Sequence, residues 1–99
     1  MDKAGLMLVM RDRIIKEKGV EIIQACHTAA GDSLKAGVIY ALSSGKSFEE
    51  AVHTGNLFGA STASMEGSQA VTPERLAKIE ALARMQNVVP EVEYLATED

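Results

Sequence analysis

The order of apolar and polar positions changes character once along this 99-residue chain. The first quarter holds short apolar runs: AGLMLVM at 4–10, Ile14-Ile15, and Val20 to Ile23, with Gly19 before the last. Runs this short, rich in β-branched residues and broken by glycine or by the Arg11-Asp12 turn, predict strands at 5–10, about 13–17 and about 20–25. From Asp32 the rhythm becomes helical. Between Asp32 and Leu42 only Ser33 and Lys35 are polar, so the segment reads as a helix apolar on nearly all sides and therefore buried. Gly45 is its stop. Ser47 opens a second helix, because Ser47 and Glu50 have the spacing of a capping box. That helix runs to about Met65, with Gly67 as terminator, and its many small residues permit close approach to a neighbour. Thr72 followed by Pro73 is an N-cap with proline at the first helical position. Leu76, Ile79, Leu82 and Ala83 then give the third helix an apolar stripe. The tail NVVPEVEYLATED reads as extended or frayed.

Three strands followed by three helices would by themselves suggest one small generic α+β unit, with no repeat and no linker between residues 1 and 99. With no Trp and only 4% aromatic residues, its core must come from Ala, Val, Ile, Leu and Met. A net charge of −4 offers nothing to a nucleic-acid backbone or an anionic membrane. The early basic residues Arg11, Arg13, Lys16 and Lys18 are interleaved with Asp12, Glu17 and Glu21 and read as a solvated hairpin. The single Cys26 excludes an internal disulfide, so the reducing cytoplasm is the natural compartment. No apolar run reaches the ~20 residues that span a bilayer.

The segment TAAGDS, 28–33, is where chemistry concentrates. A helix N-terminus presents unpaired N–H groups and the positive end of the helix dipole, which favour anions. Ala and Gly would let a phosphate approach that backbone. Asp32 then has two readings open to it: a capping residue, or a general base beside amides that hold a transferring phosphoryl group. His27 and His53 with Cys26 have no standard metal-ligand spacing. Cys26 and His27, as neighbours on a strand, would point to opposite faces, so no metal site and no Cys–His nucleophile is expected.

The stretch TAAGDSLKAGVIYAL resembles the C-terminal signature of the ribokinase-like, or PfkB, carbohydrate kinases. That signature runs Thr-x-Gly-Ala-Gly-Asp-Ser-Phe-x-Ala-Gly, followed by an Ala-Leu pair and a glycine. Thr28, Ala30, Gly31, Asp32, Ser33, Ala36, Gly37, Ala41, Leu42 and Gly45 are the matching points. The following segment is similar as well: a long Ala-rich helix, a loop ending in glycine and a final helix. TASMEGSQAVTPERL resembles in particular the 1-phosphofructokinase and tagatose-6-phosphate kinase branch.

The resemblance implies an α/β architecture, the C-terminal third of a ribokinase-like fold. It implies Asp32 as catalytic base, with Ala29, Ala30 and Gly31, and the Asp32 amide, forming the anion hole. It implies ATP, with Mg2+, as the phosphoryl source, and Asn56, Gly67 and Ser68 along the adenine side. The family's first glycine is Ala29 here, whose Cβ crowds the approach. Cys26-His27 stands where Asp-Thr or Asn-Thr is usual, beside a monovalent-cation site in many members. The family's sugar pocket and its Asn-x-x-Glu metal motif belong to the N-terminal two-thirds. These 99 residues alone are therefore expected to turn over no sugar. They are also expected either to pair with a missing N-terminal segment or to form a homo-oligomer through exposed apolar faces. A partner-dependent or non-catalytic anion-binding module is the alternative.

Overall fold

The computed structural model describes residues 5–22, 30–63 and 71–96. The chain forms strands β1 (Leu6–Val9) and β2 (Arg13–Glu17), helices α1 (Ala30–Ser43), α2 (Phe48–Ala63) and α3 (Pro73–Met85), and strand β3 (Glu91–Tyr94). The strands form one antiparallel sheet in the order β1-β2-β3. Leu8 and Val92 both lie opposite Ile15, and Leu6 lies opposite Glu17, so these residues share one face. Ile15 is fully buried there, under α2. Met7 and Val9 point the other way and are exposed.

The first two strands and all three helices fall where the apolar pattern puts them. The third strand does not. Residues 20–22 form no strand, and 23–25 lie outside the described residues. The reason is a contact from far along the chain. The Gln86 side chain occupies the backbone of Glu21, accepting from its N–H at 2.7 Å and donating to its carbonyl at 2.9 Å. Val20 meanwhile packs with Ile79, Ala83 and Val88. The sheet takes its third strand from the tail instead, which is tied in by Leu95 N–H donating to the Asp12 carbonyl at 2.8 Å.

Four of the six helix ends have a visible cause. The Ser47 hydroxyl accepts from the Glu50 amide at 3.1 Å and donates to the Glu50 carboxylate at 3.2 Å. Thr72 accepts from the Arg75 amide at 3.2 Å. Gly45, at φ +82°, ends α1 in a Schellman turn, with Lys46 N–H donating to the Ala41 carbonyl and Gly45 N–H to the Leu42 carbonyl. Asn87, at φ 57°, does the same for α3 and drops Val88 into the core against Ala83.

The largest interface is between α1 and α2, and glycines make it possible. A Cβ on Gly37 would sit 2.9 Å from the Gly55 Cα and 2.8 Å from the Phe58 ring. A Cβ on Gly55 would sit 2.9 Å from the Leu34 carbonyl. The two backbones touch, so only residues without side chains fit. α1 is not buried all round, as its sequence suggests. Ile39 and Tyr40 are 64% and 63% exposed, because α2 covers one face of α1 only.

Candidate functional site

Two polar constellations stand out, and they are built differently. The first is the start of α1. The helix begins at Ala30, which puts Asp32 in its first turn rather than ahead of it. A carboxylate there faces the positive end of the helix dipole, and the backbone N–H groups of residues 30 to 33 have no partner within the helix. Asp32 is exposed. The turn that carries it is fixed from behind. The Ser33 hydroxyl donates to the Phe58 carbonyl at 3.1 Å and accepts from the Thr62 hydroxyl at 2.6 Å. At the next residue, the Leu34 carbonyl lies close to Gly55. Asp32 therefore rides on a turn anchored to α2 while its own carboxylate faces outward. Ala29, Gly67, Ser68 and the Cys26-His27 pair lie outside the described residues.

The second constellation is internal. Glu17 lies on the covered face of β2, and its side chain is 0% exposed. One carboxylate oxygen accepts from the Asn56 amide at 2.6 Å, and the other pairs with His53 Nδ1 at 2.8 Å. His53 Nε2 pairs with Glu80 of α3 at 2.6 Å, and Arg84 stands 3.7 Å from the second Glu80 oxygen. The Asn56 amide also donates to the Lys18 carbonyl at 2.9 Å. Asn56, expected on the adenine side, is thus buried against β2 with its amide nitrogen used twice. The hydrogen bond to Glu17 is the largest influence on His53. It outweighs burial and, with Glu80 adding to it, raises the imidazole from 6.5 to about 9. His53 and Glu80 form one side of an open groove of about 480 Å³ between α2 and the end of α3.

Sequence reasoning weighed His53 only as a metal ligand and passed over Glu17 and Glu80. One signal was available: Glu17 shares the inward parity of Ile15 in β2. Among the described residues, no group of three or more His, Cys, Asp and Glu side chains could hold a metal ion. No described helix is long and apolar enough to cross a membrane.

The sequence matches the model of the pfkB family carbohydrate kinases over residues 7–75. The structure is similar to the crystal structure of a candidate phosphofructokinase from Staphylococcus aureus, with a TM-score of 0.73 and 22% identity over 99% of this chain. This chain spans 29% of the length of that protein. No curated protein matches the sequence. The structural likeness shows a shared fold. The family match reaches from β1 through both α1 and α2 into α3, and so includes the first turn of α1.

Proposed function

Because the chain belongs to the pfkB family of carbohydrate kinases, we propose that it carries the phosphate side of a site that phosphorylates a sugar or sugar phosphate. Asp32 takes the proton from the attacking sugar hydroxyl. The backbone amides around Ala29, Ala30, Gly31 and Asp32 hold the phosphoryl group as charge builds on its oxygens. ATP, when bound, supplies that phosphoryl group. One observation carries the reading: an exposed carboxylate on the first turn of a helix whose next residue, Ser33, is bonded to the neighbouring helix. Such a turn suits a phosphate, since the N–H groups of a helix's first turn have no partner within the helix and the Ser33 side chain is engaged with α2. The described residues hold no group of three or more metal-ligating side chains, and no role is assigned to Mg2+ through this chain's residues. In this reading Asn56 serves Glu17 rather than a nucleotide, while Gly67 and Ser68 keep the adenine side. The single Cys26 and ATP-dependent chemistry both suit a cytoplasmic setting.

In the same reading the 99 residues bind phosphate but do not turn over alone, because the family resemblance puts the sugar pocket in a part of the fold outside them, and this chain spans 29% of the similar structure. The experiment is an amide NMR titration with ATP and with inorganic phosphate. Shifts confined to residues 30 to 33 and lost in Ala30→Glu support the reading, and no shift at millimolar ATP overturns it. Turnover of fructose 1-phosphate or tagatose 6-phosphate by the purified chain would overturn the inactivity.

A self-associating module is the second reading, favoured by the exposed side chains of Met7 and Val9 on β1 and of Ile39 and Tyr40 on α1. Sedimentation decides it. A dimer or larger assembly is expected, and a monomer at high concentration contradicts it.

A further inference from the structure

We propose that His53 is a proton-operated latch that fastens α3 to the sheet, shut when its imidazole is charged and released when it is neutral. The argument starts from donor arithmetic. His53 has a carboxylate oxygen on each ring nitrogen, Glu17 at 2.8 Å and Glu80 at 2.6 Å. A carboxylate only accepts, and a neutral imidazole has one N–H. Only the imidazolium can satisfy both partners. Loss of the proton leaves a ring lone pair facing a carboxylate oxygen, and one of the two contacts must open.

Burial decides which one. The Glu17 side chain is wholly inside and holds a second bond from Asn56. The Glu80 side chain is 32% exposed on the rim of the groove and can swing toward water, where Arg84 is its remaining charged neighbour. The released contact is therefore the one to α3, and the retained one is the contact to β2. The charged and titratable groups that face His53 agree with the closed state. β2 brings Glu17, α3 brings Glu80 and Arg84, and α2 itself brings Glu49 and Glu50 one turn earlier. Carboxylates outnumber cations around the ring. Its raised midpoint, about 9, fits that surplus.

Release would not unfold α3. Ile79, Ala83 and Val88 still pack on Val20, and Gln86 still holds Glu21. It frees one side of the helix. Because the folded midpoint lies above the unfolded value of 6.5, the latch contributes fully below pH 6.5 and is lost as pH rises through about 9. Over that interval the folding constant falls as the imidazole gives up its proton.

The test is a pH titration of the 99-residue chain by NMR, following the His53 ring and the methyl groups of Ile79 and Leu82, with Ile15 as the internal reference. His27→Gln removes the other histidine signal. The expected result is a ring midpoint near 9, α3 methyl shifts that track it, and an Ile15 methyl that does not. Glu80→Gln keeps the side chain's size and leaves Glu17 in place. It should lower the midpoint by at least one unit without disturbing the Ile15 methyl. A ring midpoint between 6 and 7, α3 methyls indifferent to the ring titration, or an unchanged midpoint in Glu80→Gln would each overturn the latch.

Discussion

The two polar regions of this molecule treat charge in opposite ways. Around His53 the contacts join β2, α2 and α3, with Glu17 wholly inside and Glu80 on the rim of the groove. Glu17, His53, Asn56 and Glu80 spend their hydrogen-bonding capacity on one another, across β2, α2 and α3. At the start of α1 the side chain next to Asp32 is anchored, but the carboxylate faces out and the turn's amides have no helical partner. The contrast teaches where to look for function. A polar group satisfied by its own fold holds structure together, whereas a rigidly mounted group left facing solvent is available to a ligand. Substitutions in the first region should therefore change stability, and those in the second should change binding at nearly constant stability.

The largest effect belongs to the inner region. Glu17→Ala leaves the His53 imidazolium and the Asn56 amide without their buried acceptor, and breaking a buried pair this way costs about 3–5 kcal/mol. Urea unfolding at pH 7 measures it; a loss under 1 kcal/mol would dissolve the contrast. Next comes the helix contact that carries Asp32. In Gly55→Ala the new methyl group meets the Leu34 carbonyl at 2.9 Å. Overpacking of that kind costs about 2 kcal/mol even after the helix-propensity gain of alanine. Spectral changes at residues 32 to 34 should accompany the loss. Thr72→Ala removes the cap of α3 and should cost about 1 kcal/mol in the same assay. The smallest change is expected at the candidate base. Asp32→Asn removes only a dipole interaction and should stay within about 0.5 kcal/mol of wild type. A loss above 2 kcal/mol would mean that Asp32 is part of the scaffold.

Much of the fold was legible because its punctuation is local. Ser47, Thr72-Pro73 and Gly45 each act on residues within a turn or so of themselves, and each does in the structure what its residue type suggests. The third strand was not legible for the opposite reason. Glu91 and Glu93 give EVEY the look of a solvated tail, and only its pairing with β2, some 80 residues away, makes it a strand. Residues 20–22 have the residues of a strand, but Gln86 claims their backbone. Of the two polar regions, the start of α1 could be found in the sequence because its residues are contiguous. The His53 cluster could not, because Glu17 and Glu80 meet it across separations of 36 and 27 residues. The expected burial of α1 failed on a related point: an all-apolar helix shows that a cover is possible on every face, not that one is present in these 99 residues.

The most direct measurement is the amide NMR titration of wild type and Asp32→Asn with ATP. The account predicts shifts centred on residues 30 to 33 in both proteins, with binding in Asp32→Asn as tight or tighter, because the amides hold the phosphate while the carboxylate only repels it. Shifts that appear elsewhere on the chain, or none at all in either protein, would contradict it.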